Sequence, residues 1–315
     1  MTIRSAPRTL AAAAAALLTL GSAAACADRG GGGGGTDPDR VDMVVAFYPL
    51  QFLAEQVGGD AVRVTNLAKP GAEPHDLELH PRQVGQVADA ELIVYLAGFQ
   101  PAVDEAVAQN GRDRAFDVAT VQPLLDAAAG GHQHEGEAGH EEETGGKDPH
   151  VWLDPTRLAT IGDRLAERLG KVAPNRAAEF TARATALRAE LTKLDGEYAQ
   201  GLRTCQRREI VTSHTAFGYL TARYQLEQVG ITGLSPEGEP SPRRLAEVAK
   251  EAREHQATTI FFETLVSPKV AETVAREVGA KTAVLDPIEG ASAGGDYLST
   301  MRTNLQTLRT ALDCS

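Results

Sequence analysis

Positive charge is the minority in this chain of 315 residues: 31 Lys and Arg stand against 43 Asp and Glu, a formal net charge of −12. That deficit argues against nucleic-acid binding and suits solubility or the attraction of cations. Beyond the N-terminal leader no stretch is apolar enough to span a bilayer. No H-E-x-x-H helix and no nucleophile-elbow sequence occurs, and only Glu73 offers itself as a general base, so a secreted zinc hydrolase finds little support. Cysteine is limited to Cys26, Cys205 and Cys314.

The leader fixes the compartment. Arg4 and Arg8 precede an apolar stretch from Leu10 to Leu20, and Ala23, Ala24 and Ala25 lead into Cys26. This is the layout of a bacterial secretory signal, too short for a membrane span. A cysteine after small residues, followed by the spacer Gly30 to Gly35, predicts a signal peptide over 1–25, lipid attachment at Cys26 and a flexible linker over 26–40. Ala23 departs from the leucine usual three positions before such a cysteine. The expected location is the outer face of the cell membrane, with periplasm as the alternative. In that oxidising compartment Cys205 and Cys314 form an even pair, and a disulfide between them is expected.

About 275 residues remain, enough for two domains with cores of their own. Short apolar runs alternate with helical patterns, as in parallel sheets with crossover helices. Strands are predicted at Met43 to Phe47, Arg63 to Leu67, Leu92 to Leu96 and Ala115 to Val118, then at Glu209 to Ser213, Leu226 to Val229, Thr258 to Phe262 and Thr282 to Leu285. Ser241-Pro242 and Ser267-Pro268 read as helix starts and Gly279 as a stop. Between the halves, Phe180, Ala184, Leu187, Leu191, Leu194, Tyr198 and Leu202 step by three or four, which predicts a helix from Pro174 to Leu202 of about 43 Å. The expected fold class is α/β: two similar lobes, 41–173 and 203–315, joined by the rigid connecting helix 174–202, with closure small and shear-like.

Three histidines stand in turn-like contexts: His75 in PGAEPHDLELHP, His150 in DPHVWLDP and His214 in VTSHTAFGYL. A fold that gathers strand ends can gather three imidazoles around one divalent cation. Asp286 ends the run KTAVLD and Glu263 ends TTIFFE, the latter a candidate to orient a ligand histidine or merely a strand-end carboxylate. A loop over 130–147 carries His132, His134 and His140 among five glutamates, a composition suited to weak auxiliary metal capture. The ordinary alternative for any lone histidine is a hydrogen-bonded surface residue. His80, just before a helix-starting proline, fits that description. His255 closes a polar helix, where an imidazolium is favoured by the macrodipole and needs no metal.

Taken in order, PGAEPHDLELHP, DPHVWLDP, the long helix, SHTAFGYL, EPSPRRL and LDPIEG resemble the zinc-binding solute receptors of bacterial zinc/manganese ABC importers, from about Val41 to the C-terminus. The resemblance implies a metal site in the interlobe cleft and a partnership with a membrane permease and its ATPase; the receptor is expected to be a monomer. Carried over by position, His75, His150 and His214 are the imidazole ligands. Manganese-type relatives place glutamate at the third position, so His214 favours Zn2+. Asp286 is the expected fourth ligand, with Glu73 as the alternative. A lipid-anchored adhesin or zinc store remains the rival from another class.

Overall fold

The computed structural model describes residues 40–127, 146–292 and 294–315. Cys26 and the tract histidines His132, His134 and His140 lie outside them. All eight expected strands form, their ends within two residues of expectation. In the N-terminal lobe β1 (Val41–Val45), α1 (Tyr48–Gly58), β2 (Val62–Asn66), α2 (Pro81–Asp89), β3 (Leu92–Tyr95), α3 (Pro101–Asn110) and β4 (Ala115–Asp117) build one sheet. Its order is β2-β1-β3-β4, every pairing parallel. Because β1 lies between β2 and β3, the crossovers leave in opposite directions and open a crevice at the carboxyl ends of the strands.

Two helices lead out of this lobe. In α4 (Pro155–Val172) Asp154 is the N-cap, accepting from the Thr156 and Arg157 amides, and Pro155 occupies the first turn. The connecting segment begins with a 3-10 turn at Pro174–Arg176 and continues as α5 (Ala177–Gly201), 25 residues or about 37 Å. The α-helix is shorter than expected because its first three residues close as a 3-10 turn, the tighter form common at helix entrances. Phe180, Ala184, Leu187, Leu191, Leu194 and Tyr198 are its buried face.

The second lobe repeats the topology. It comprises β5 (Glu209–Thr212), α6 (Gly218–Tyr224), β6 (Glu227–Gly230), α7 (Pro242–Glu254), β7 (Thr259–Phe262), α8 (Lys269–Val278), β8 (Lys281–Val284) and α9 (Tyr297–Ala311), with parallel order β6-β5-β7-β8. Ser241 caps α7 by accepting from the Arg244 amide. At α8 the N-cap is Pro268 rather than Ser267, one residue later than the dipeptide suggests. Gly279 ends α8 at φ +73°, a left-handed conformation that glycine adopts without strain.

One apolar cluster runs from the first sheet through α4 and α5 into Tyr219, Leu220, Ile288, Tyr297 and Met301 of the second lobe. A smaller one, around Val211, Val248, Ile260 and Val274, belongs to the second lobe alone. A shared core of this kind opposes wide opening, since separating the lobes would expose packed apolar surface. Among the described residues no helix is long and apolar enough to cross a membrane.

Cys205 and Cys314 are disulfide-bonded across 109 residues, tying the chain end after α9 to the entrance of the second lobe. On the chain-entropy account, closing so long a loop stabilises the fold by about 4–5 kcal/mol. Cys205→Ser/Cys314→Ser should therefore lower unfolding free energy in denaturant titrations by several kcal/mol while leaving far-ultraviolet circular dichroism unchanged. Equal midpoints for the two proteins would show that the bridge is energetically idle.

Candidate metal centre

His75, His150, His214 and Glu289 converge between the lobes, each offering one ligand atom within 4.8 Å of the others. His75 comes from the loop between β2 and α2, where its ring meets the Phe99 edge at 4.7 Å. His150 immediately precedes a 3-10 turn, Val151–Leu153, that leads into α4. His214 follows β5, and Glu289 lies in the loop after β8. Two ligand candidates thus belong to each lobe.

The distances fit a small tetrahedral cation. Glu289 Oε1 lies 3.1 Å from His75 Nε2, 3.0 Å from His150 Nε2 and 3.4 Å from His214 Nε2, and the last two nitrogens are 3.4 Å apart. A tetrahedron with metal–ligand bonds of about 2.0–2.1 Å has edges of about 3.3–3.4 Å, so slight outward movement of the carboxylate makes room for the ion. The second oxygen, Glu289 Oε2, is buried without a partner. A carboxylate this buried needs positive partners, either the three imidazoles in protonated form or a cation among them.

Two further carboxylates orient the rings. His150 Nδ1 pairs with Asp148 Oδ1 at 2.8 Å, and the His150 amide donates to the same oxygen at 2.9 Å. His214 Nδ1 pairs with Glu263 Oε1 at 2.7 Å, and Ser213 Oγ donates to that oxygen at 2.6 Å. With Nδ1–H committed in this way, each ring presents Nε2 to the centre and gains basicity there. Gly218 makes the first pairing possible, because a β-carbon in its place would lie 2.4 Å from Asp148 Oδ2. Beneath the site Trp152 packs 5.3 Å from the His150 ring and donates Nε1–H to Pro287 O at 2.7 Å, linking the two lobes.

The protonation pattern follows from this crowding. Burial pushes the Glu289 carboxyl up, but hydrogen bonds from His150, His214 and His75 overcome it and hold the group well below the usual range. Burial also disfavours charge on His214, yet Glu263 and Glu289 raise its pKa to about 10, and Asp148 and Glu289 raise that of His150. His75 is lowered, chiefly by burial. Together the carboxyl and imidazole shifts favour an ionised Glu289 facing charged His150 and His214.

Asp286, expected as the fourth ligand, lies outside this cluster, and its oxygens have other partners. Oδ1 accepts from the Ile288 amide at 2.7 Å, and Oδ2 lies 3.3 Å from both Thr264 Oγ1 and Ser292 Oγ. Its backbone is fixed by Asn304, through Asn304 Oδ1 at 3.0 Å and Nδ2 at 2.7 Å. Asp286 therefore shapes the turn that delivers Glu289, with Ile288 at φ +60°. The alternative, Glu73, is likewise committed to a turn: both its oxygens lie 3.0 Å from the His75 amide, and burial raises its pKa to about 7. His80, whose amide donates to Gln83 Oε1 at 2.9 Å, starts α2 and is not part of the cluster. Sequence reasoning missed Glu289 and Asp148, although each sits in a quoted motif: LDPIEG ends one residue after Glu289, and Asp148 opens DPHVWLDP.

Two α/β lobes wound around a common apolar spine, with an ion-sized cage at their junction, define the two-lobed solute-binding class. Within it, the chain belongs to the family described as zinc-uptake complex component A, periplasmic, which it matches over residues 43–311. It is 34% identical over 285 residues to the zinc-binding lipoprotein AdcA of Streptococcus pneumoniae (strain R6), covering 87% of this chain and 56% of that protein. The chain thus spans little more than half the length of the AdcA relatives it matches. It is 33% identical over 281 residues to the high-affinity zinc uptake system protein ZnuA of Bacillus subtilis (strain 168), covering 87% and 88% of the two chains. Among solved structures, the Zn(II)-bound ZnuA-like domain of S. pneumoniae AdcA superimposes with a TM-score of 0.72 at 32% identity, over 87% of this chain and 99% of that one.

Asp148→Asn and Glu263→Gln should each weaken zinc binding by about 10–100-fold, the usual cost of losing an orienting partner. Glu289→Gln should weaken it as well, whereas Glu73→Gln, which keeps an oxygen for the His75 amide, should leave it unchanged. Competition titrations against a chromophoric chelator measure all four. A Glu73→Gln loss equal to that of Glu289→Gln would reverse the assignment.

Proposed function

We propose that this protein is an extracytoplasmic zinc receptor that binds one Zn2+ in the interlobe crevice and delivers it to the permease of an ABC importer. The observation that carries the reading is the convergence of three imidazole nitrogens within 3.0–3.4 Å of one buried Glu289 oxygen. Three nitrogens and one oxygen suit zinc better than manganese, which prefers harder donors. A cage closed by a carboxylate leaves no position for an activated water, which supports a carrier rather than a hydrolase. Zinc is the cargo here and stays chemically unchanged.

The residues divide the work. His75, with its side chain 9% exposed, is the most accessible imidazole of the centre and the natural first contact for an arriving ion. His150 and His214, almost wholly buried, then complete the cage with Glu289. Bonding to both lobes pins them together, and the filled form is what a permease with its ATPase would recognise. The name of the pneumococcal relative includes "lipoprotein", which supports an anchor on Cys26 at the outer face of the membrane. Val270 and Val284 are the only exposed large apolar side chains among the described residues, which favours a monomer. The His132 to His140 tract is assigned auxiliary, weaker capture.

Zinc must displace protons to bind, so its affinity is pH-dependent with a definite sign. Because His150 and His214 hold protons above the ordinary histidine range, the proton competes even at neutral pH, and affinity should fall steadily from pH 8 to pH 5. Calorimetry in buffers of different ionisation enthalpy should register proton release on binding at pH 7–8. A pH-independent affinity with no proton release would remove the basis of the proposal. His214→Ala should abolish tight binding and zinc uptake; undiminished uptake by cells carrying only this variant would do equal damage.

A further inference from the structure

A further group of ionisable side chains gathers at the amino ends of the second lobe's strands, opposite the ends that deliver His214 and Glu263. Glu209 and Glu227 open β5 and β6 there and are register partners, so two like charges lie side by side. His255, the C-cap residue of α7, reaches the same spot, with Nδ1 3.2 Å from Glu209 Oε2. One donor atom from each of the three lies within 4.8 Å of the others.

Glu209 is the residue that needs explaining. Its side chain is only 7% exposed, and its Oε1 is buried without a partner. Among the described residues no lysine or arginine comes within ion-pair distance of it. The adjacent arginines are turned to carbonyls instead: Arg207 to Gln256 O, and Arg208 to Leu202 O, Tyr224 O and Gln225 O. Burial, and then the charges of Glu251 and Glu227, push the Glu209 carboxyl up to about 7. The carboxyl end of α7 adds its own negative potential. The two charged neighbours that act on this carboxylate besides His255, Glu251 and Glu227, are both negative.

We propose that Glu209, Glu227 and His255 form a second divalent-cation site, distinct from the interlobe centre, that takes zinc through one imidazole nitrogen and two carboxylates. Mixed nitrogen and oxygen donors favour zinc over calcium or magnesium. Glu227 is exposed and His255 is 41% exposed, so both side chains are free to close on an ion held by the buried Glu209. Three protein donors leave a coordination position to water, and the site is weaker than the closed cage between the lobes. His255, read from the sequence as a helix-end imidazole with no need of metal, becomes a ligand.

The test uses the whole chain and zinc alone. Equilibrium dialysis at a free zinc concentration well above saturation of the interlobe centre compares the parent with His255→Ala and Glu227→Gln, both solvent-facing substitutions that spare the buried Glu209. Each variant should bind one zinc fewer than the parent, with the tight interlobe ion retained; zinc held by the His132 to His140 tract cancels in the difference. His214→Ala should show the converse, losing the tight ion and keeping the second. Anomalous diffraction at the zinc edge should place the second ion between Glu209 and His255. Unchanged stoichiometry in both variants, or no anomalous peak at this position in the parent, overturns the second site and leaves the interlobe reading untouched.

Discussion

The centre depends on one electrostatic arrangement: three imidazole nitrogens drawn around a single buried carboxylate oxygen contributed across the lobe boundary. Glu289 cannot remain ionised at that depth without positive partners. Protons on the imidazoles serve in the metal-free chain, and a divalent ion serves better, because one charge centre then satisfies four donors at once. The rest of the site follows from this requirement. Asp148 and Glu263 hold the rings in the tautomer that faces inward, Gly218 clears space for Asp148, and the Asp286 turn aims Glu289.

Each lobe supplies two of the four groups, so an ion held by all four would couple the lobes. That coupling acts on a stiff body. The apolar cluster passes without interruption from the first sheet through α5 to α9, and Tyr297 Oη donates to Trp152 O at 2.6 Å while Trp152 Nε1 donates to Pro287 O. Tyr219 Oη likewise donates to Asp148 O at 3.0 Å from the opposite lobe. These bonds cross-link the two lobes beside the cage and add to the shared core in opposing wide separation.

Burial matters as much as ligand identity. Asp148, Glu263 and Glu289 are all removed from water, so their interactions with the rings are little screened. The outer cluster at Glu209 repeats the same logic in weaker form, with one buried carboxylate and two solvent-facing partners.

The order of strands and helices was legible along the chain because alternation and the three-to-four step are local properties, enforced wherever one face is buried. So were His75, His150 and His214, each set in a distinctive turn sequence, and the pairing of Cys205 with Cys314, set by compartment and parity. The carboxylate beside the histidines was not: the sequence suggested Asp286 or Glu73, and only the folded chain brings Glu289 to the three imidazoles. All three acidic residues lie in irregular segments, where no periodicity fixes which way a side chain points, and two of them are diverted by short-range bonds to backbone amides. The role of Asp148, and the meeting of Glu209 with Glu227 and His255, likewise depend on strand register and helix placement, which bring together groups that local sequence cannot relate.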